Sequence, residues 1–565
     1  MISEQEADVC IVGMGAAGGI AAYVLAAQGL EVVGLEAGPG WTNSDFPWDE
    51  LTAFNFRNTL GKIFNNSAPT WRRREGAPTG PATFSLGRMM NGVGGGDIHF
   101  GAWSRRFLPG DFTALSDTLR RYGAEVLPPG SALADWPLTY DDLEPYYDHV
   151  EYALGVSGIA RNVRGQEPPA SADGNPFEGM RSRPYPLPPL RPYPLGERFR
   201  EVARQRGYHP YTVPAAIITE DYDGRPACTY CGWCSGYGCY NGAKSSTLVS
   251  VIPKALKTGN LDLRTNCRAV RVESQGDKAR GVTYLDEGGQ VHFQPARIVV
   301  LAAYTWENVR LLLLSTSRCF PDGLSNNHGQ VGKYFMTRQF PEVAGLFPDF
   351  PMDKFMGPVA QAVAIDDFNG DNFDHTGLGF LRGGTIGTEN QIQPILASSQ
   401  LPPDVPAWGR RYRDFITAYW NHITYLRAQP EPLAYEMNFL DLDPVVKDDL
   451  GQPVIRITYD LYPNELRLID FLQDRMEELM RDMGAVRTWR GPRETGVASC
   501  HDLGGTRMGK DSKDSVVDRY QRSHEVPNLY ILGGCTFPTA TGTNPTETIQ
   551  ALAWMSAEHI AHELR

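Results

Sequence analysis

At 565 residues the chain is too long for one compact core, so two domains or one large composite unit is expected. Hydrophobic residues at 42% and charged residues at 21% make an ordinary globular balance, and 59 glycines with 42 prolines suit a loop-rich chain without implying disorder. A net charge of −13 excludes the basic footprint that nucleic acid requires, and it gives no reason to expect binding to anionic lipid.

The segment from Met1 to Asp8 has no basic region, apolar stretch or cleavage site, so no signal peptide is expected. No apolar run reaches the roughly 20 residues of a transmembrane helix, and direct membrane insertion is not expected. Residues 7–12 read as a buried parallel strand. Gly13-Met14-Gly15-Ala16-Ala17-Gly18 follows at once, then a small-residue helix over 19–28 and a second strand over 30–35 ending in Glu36. This is a dinucleotide fingerprint in its required context. Gly13 makes the tight turn, Gly15 admits a pyrophosphate and Gly18 lets helix and strand close together. Glu36 is placed for a ribose hydroxyl, which favours FAD or NAD over NADP.

Residues 51–83 read as a loop-rich insertion, with Arg72, Arg73 and Arg74 as a solvated or interface run. The glycine-dense stretch 87–101 suits backbone pressed against a flat ligand. It contains Arg88, Asn91, Gly92, Gly94, Gly95 and His99. A helix is expected after Asp135-Trp136-Pro137, and residues 168–194 are a proline-rich connector. Four of the nine cysteines cluster as Cys228, Cys231, Cys234 and Cys239. Their spacing admits an iron–sulfur cluster, a zinc ion or disulfides. Residues 262–272 and 281–285 read as small-sheet strands, 297–303 as a second buried parallel strand, and 304–315 as a leucine-rich helix. From 341 to 490, frequent aromatics and turns indicate an antiparallel sheet forming a substrate wall, with an amphipathic helix over 461–484. A further buried strand is expected over 526–534.

The chemistry is expected near the C-terminus. Ser499-Cys500-His501-Asp502-Leu503-Gly504-Gly505 sets a histidine beside a glycine turn, where it can accept a proton. Asn544-Pro545-Thr546 precedes an apolar helix over 548–559; Asn can cap it, and its free N–H groups suit a flavin carbonyl or a developing negative charge.

The 13–36 unit, the 87–101 loop, the 297–314 strand–helix and the His501 and Asn544 segments, in that order, resemble the glucose–methanol–choline oxidoreductase family over essentially the whole chain. His-Asp-Leu-Gly-Gly-Thr-Arg-Met-Gly and Asn-Pro-Thr look most like the flavoprotein subunits of bacterial sugar and sugar-acid dehydrogenases and the pyranose oxidases. The resemblance implies an α/β fold, α+β overall. Its doubly wound, Rossmann-like FAD domain would comprise residues 1–50, 84–150, 225–335 and 491–565. The substrate-binding domain and insertions, with an antiparallel sheet, would take 51–83, 151–224 and 336–490. It implies FAD held by the 13–36 unit, the 87–101 loop, Val270, Ala302, Gly534, Asn544, Pro545 and Thr546. It further implies oxidation of a sugar hydroxyl, with His501 as base and Asn544 binding the same oxygen. A small helper subunit and cytochrome c or another electron acceptor follow from the dehydrogenase likeness. Location is then cytoplasmic, or periplasmic if a signal-bearing partner carries the chain. A pyranose-type oxidase and a lyase with structural FAD are the alternatives. His99 falls where pyranose oxidases can link flavin covalently. The cysteine cluster falls where the dehydrogenase subunits hold an iron–sulfur cluster, although its spacing departs from theirs. An anionic substrate would want Arg338, Arg382, Arg410 or Arg411 facing the flavin.

Overall fold

The computed structural model describes residues 2–52, 68–82, 90–167, 173–389, 393, 400–493, 496–497 and 499–565. A long strand, Val291–Leu301, is the spine of its larger sheet. The second half of this strand is an unbroken aliphatic run from Ile298 to Leu301, as expected where both faces are covered. There it pairs in parallel with Ala7–Val12 on one side and Leu529–Ile531 on the other. Its first half pairs antiparallel with Lys278–Leu285, which pairs in turn with Arg268–Gln275. Beyond Ala7–Val12 the sheet continues in parallel through Val32–Leu35 to Leu261–Arg264. Side chains alternate between two cores. Val9, Ile11, Ile298 and Val300 meet the helix Ala16–Ala27, while Cys10, Val12, Val299 and Leu301 meet the helix Tyr304–Leu314.

Element ends differ from expectation for local reasons. The first helix starts at Ala16, because Gly13 at φ +91° completes the turn within two residues. The expected strand over 262–272 is two strands, Leu261–Arg264 and Arg268–Gln275, separated by a turn in which Asn266 takes φ 53°. The expected strand over 526–534 narrows to Leu529–Ile531, after Pro527, which has no N–H to donate.

A second, antiparallel sheet has the order Arg487–Arg490, Glu342–Leu346, Ile423–Pro430, Gly384–Glu389, Val363–Ile365, Tyr211–Thr212. The helix Pro463–Asp482 lays Leu468, Leu472, Met476 and Leu479 against Val343, Ile386 and Leu426 on one face. Cross-strand register puts Glu389 opposite Tyr425, Gly387 opposite Arg427 and Thr385 opposite Gln429, so these residues share the other face. A smaller sheet joins Thr70–Arg72 in parallel to Pro453–Thr458. This pairing corrects the reading of the basic run: Arg72 is buried, donates to Thr458 Oγ1 at 2.8 Å and pairs with Asp441. Among the described residues no helix is long and apolar enough to cross a membrane.

Candidate active site

A cavity of about 580 Å³ runs from the first glycine turn to the His501 loop. Gly13, Gly15, Ala16, Ala17 and Glu36 line one end, together with Asn91, Gly95, His99 and Ala302. Backbone approaches backbone here. A Cβ on Gly13 would lie 2.6 Å from the Ala302 carbonyl oxygen, and one on Gly95 would lie 2.8 Å from the Gly15 Cα. Gly18 works behind this surface, where an added Cβ would meet the Gly13 carbonyl oxygen at 1.9 Å. The Glu36 carboxylate accepts from the N–H groups of Met14, Gly38 and Gly92 at 2.9, 2.9 and 3.2 Å. Burial outweighs those bonds and raises its pKa.

Other expected residues support this end without lining it. Gly92 lies against Trp41, and Gly94, at φ +98°, opens the single helical turn Gly95–Ile98. Val270 does not line the cavity: it is the extra residue of a β-bulge between Ala269 and Arg271, so Arg268 and Ala269 face the cavity instead. Arg88 lies outside the described residues. Beside His99, buried Asp97 accepts from Gln550 at 3.0 Å, and burial pushes its carboxyl up to about 7.

His501, Gly534, Asn544, Pro545 and Thr546 line the same cavity. The C-terminal helix is Thr546–Leu564 with Pro545 as its N-cap, so Asn544 stands outside the helix and does not cap it. Its side chain is instead fixed by buried Arg105, whose Nη2 donates to Asn544 Oδ1 at 3.1 Å. That bond leaves the amide's Nδ2 donor for the cavity side. Arg105 is held in turn by Tyr211 Oη at 2.7 Å, Thr385 Oγ1 at 2.9 Å and Asp366 at 3.5 Å.

A short antiparallel ladder sets the position of His501. Met336 pairs with Leu503 and Thr337 with Asp502, and the same register continued by one residue puts Arg338 opposite His501. Arg338 Nη1 lies 3.3 Å from His501 Nδ1, and Phe340 meets the imidazole edge-on with centroids 5.2 Å apart. Burial first, then the charges of Arg338 and Arg105, hold the imidazole well below its ordinary pKa. It is therefore neutral at pH 7. Adjacent Asp502 accepts from the Tyr304 hydroxyl at 2.7 Å, and burial pushes its carboxyl up to about 7.

The remaining wall comes from the antiparallel sheet: Glu389, Arg427 and Gln429, with Phe100, Phe340 and Val359. Arg427 pairs with both Glu342 and Glu389. Of the arginines expected to face an anion, none lines the cavity. Arg338 lies behind His501, and Arg382 is locked to Asp111 at 2.9 Å and Glu431 at 2.8 Å. Arg410 and Arg411 sit exposed on the helix Arg410–Tyr419. Sequence reasoning missed Arg105, Glu389, Arg427 and Gln429, whose placement follows from sheet register and from no local motif.

Cys228, Cys231, Cys234 and Cys239 are reduced thiols in the loop before Lys244. Cys228 Sγ accepts from the Tyr230 N–H at 3.4 Å, and Cys239 Sγ donates to Asn241 Oδ1 at 3.1 Å. Burial pushes Cys228 up to about 12 and raises Cys231 and Cys234 as well. Among the described residues no group of three or more His, Cys, Asp or Glu side chains could hold a metal ion. This donor set does not fit an iron–sulfur cluster, which needs converging thiolates.

The GMC oxidoreductase family model matches residues 132–337 and 434–553, more than half of the chain. The chain is a GMC oxidoreductase. It is 33% identical to the gluconate 2-dehydrogenase flavoprotein of Pantoea cypripedii, over 99% of this chain and 94% of that one. It is 30% identical to 2-methyl-1,2-propanediol dehydrogenase of Mycolicibacterium austroafricanum, over 99% of this chain and 96% of that one. The pyridoxine 4-oxidase structure from Mesorbium loti superposes with a TM-score of 0.63 at 18% identity, covering 99% of each chain. GMC oxidoreductases bind FAD. The glycine cradle, with no room for a Cβ at Gly13 or Gly95, and the buried Glu36 carboxylate at the cavity wall fit that group.

Proposed function

We propose that this GMC oxidoreductase oxidises a secondary or anomeric hydroxyl of a sugar or sugar derivative and passes the electrons to a partner protein or quinone. The observation that carries this reading is that His501 and Asn544 line the same cavity as the dinucleotide cradle. FAD, when bound, supplies the acceptor for the hydride that leaves the carbinol carbon. His501 accepts the hydroxyl proton, a role open to a neutral imidazole. Asn544 donates from Nδ2 to the same oxygen and holds it in line. Glu389, Arg427 and Gln429 offer the remaining substrate hydroxyls acceptors and donors, and the relation to a gluconate 2-dehydrogenase flavoprotein supports a carbohydrate substrate. The FAD-binding unit combines 1–50, 84–150, 225–335 and 491–565, and the intervening segments shape the substrate side. A small helper subunit and a cytochrome c-type acceptor belong to the same reading. FAD is the sole cofactor, held without a covalent link to His99.

A panel of sugars and sugar acids mixed with the purified flavoprotein under argon tests this, following flavin absorbance. At least one aldose, ketose or aldonic acid should bleach the flavin. A panel that leaves it fully oxidised rejects the substrate class. Stoichiometric peroxide in air, at the rate seen with an artificial acceptor, rejects the dehydrogenase assignment in favour of an oxidase. Iron and acid-labile sulfide should be absent from active protein, and acid precipitation should leave the yellow colour in the supernatant.

A further inference from the structure

We infer that Glu547, the second residue of the C-terminal helix, is held as an un-ionised carboxylic acid by contact with the Glu151 carboxylate, and that this leaves the start of the helix positive toward bound FAD. The inference rests on the reading of Asn544, Pro545 and Thr546 as the flavin-facing segment, and it makes Glu547 a positioning residue for the charge environment of that segment.

Glu151 lies on the helix Tyr140–Leu154, which packs along the C-terminal helix. Glu547 and Glu151 are 1% and 0% exposed, and their carboxyl groups are hydrogen-bonded to one another. An ionised carboxylate only accepts, so one of the two must carry a proton. Their other partners decide which. Arg106 donates to Glu151 from Nε at 2.8 Å and from Nη2 at 2.9 Å, and Arg181 donates to it as well. Glu547 accepts from the Ser104 hydroxyl at 2.7 Å through Oε2, while among the described residues no donor meets its buried Oε1. The negative charge therefore resides on Glu151 and the proton on Glu547. Burial, and then the charge of Glu151, raise the Glu547 pKa well above its ordinary value, whereas Arg106 and Arg181 hold Glu151 low against its own burial.

The surrounding groups do not alter this assignment. Arg106 and Arg181 are also paired with Glu144 at 3.0 Å and Glu178 at 3.6 Å, so neither has charge to spare for Glu547. Tyr147 and Tyr185 face it as neutral phenols, raised well above their ordinary value chiefly by burial. An ionised acid in a first helical turn is ordinarily favourable, because it offsets the positive end of the helix, equivalent to roughly half an elementary charge. Buried in front of that end, a full negative charge on Glu547 would reverse its sign. As a neutral acid Glu547 leaves the end positive where Pro545 and Thr546 line the cavity. Negative charge that enters the cavity with the substrate hydride then meets a positive helix start. One tripeptide ties the arrangement together: Ser104 holds Glu547, Arg105 holds Asn544 and Arg106 holds Glu151.

The test uses FAD-loaded protein and a chemical reductant. The infrared difference between wild type and Glu547→Gln, taken at neutral pH, should contain the C=O stretch of one un-ionised carboxyl. Glu547→Gln keeps a neutral group of the same shape that can donate to Glu151, so its flavin midpoint potential should match that of the wild type. Glu151→Gln moves the negative charge onto Glu547 and should lower the potential. Combining Glu151→Gln with Glu547→Gln should restore it at least to the wild-type value. A difference spectrum without the acid band, a potential raised in Glu547→Gln, one unmoved by Glu151→Gln, or one that falls as far in the double variant overturns the inference. The infrared band and the Glu547→Gln potential keep it falsifiable even if Glu151→Gln fails to fold. Neither readout involves a sugar, so a flavin that no sugar bleaches rejects the substrate class alone.

Discussion

Asn544 and His501 show how little of a site's behaviour resides in the reacting residues alone. Each is held by a buried arginine from a distant part of the chain: Arg105 is 439 residues from Asn544, and Arg338 is 163 residues from His501. The histidine and asparagine were legible in sequence because each sits in a short motif, beside a glycine turn or before a helix. Arg105 was not, since nothing local distinguishes it from its neighbour Arg106, which instead pairs with Glu144 and Glu151, and Arg338 was singled out only as a partner for an anionic substrate. His501→Ala should retain FAD and slow anaerobic flavin reduction by roughly 10²–10⁴-fold, the usual contribution of a positioned base; stopped-flow absorbance measures it. Asn544→Asp should be nearly as damaging although the shape is unchanged. The new carboxylate pairs with Arg105 and no longer offers an N–H to the substrate oxygen, so reduction should fall by about 10²-fold.

At the scale of elements, the glycine turn is the most exacting feature. Gly18→Ala would drive a methyl group into the Gly13 carbonyl oxygen, 1.9 Å from the ideal Cβ position. Separating helix from strand there should cost about 1–3 kcal/mol and lower the flavin content, read from a thermal melt and the visible-to-ultraviolet absorbance ratio. The ladder that carries Asp502 makes a pH prediction. Its carboxyl is raised to about 7 when folded, against about 4 when unfolded. The stability it contributes is complete below the unfolded value and is lost as pH rises toward the folded one. The melting temperature of Asp502→Asn relative to wild type should therefore climb between pH 4.5 and 7.5 and level off above. Periodicity revealed most elements of the first sheet, because buried parallel strands and a small-residue helix leave strong patterns. It missed the two-residue ladder Met336–Thr337 with Asp502–Leu503, which is too short to leave any pattern yet brings Arg338 to His501.

Over the whole molecule, ion pairs buried between layers matter more than their number suggests. Arg382 joins Asp111 to Glu431, with Asp111 held near 6 and Glu431 near 8 by burial despite the arginine. Arg382→Met would leave both carboxyls buried without a cation, and a loss of about 3–5 kcal/mol is expected from the denaturant midpoint. The α/β class and the presence of an antiparallel sheet were legible from the order of strands and helices. The contents of the cavity wall were not, because which side of Ile423–Pro430 faces inward depends on the helix Pro463–Asp482 occupying the other side. The strand Val291–Leu301 carries a last consequence. Its first half belongs to the antiparallel flap and its second half to the parallel stack, so the molecule has a seam part-way along one strand. The flap brings Arg268 and Ala269 to the dinucleotide end of the cavity, whereas His501 and Asn544 depend on segments beyond it. Peeling the flap from the spine would open the nucleotide end and leave the reacting end assembled.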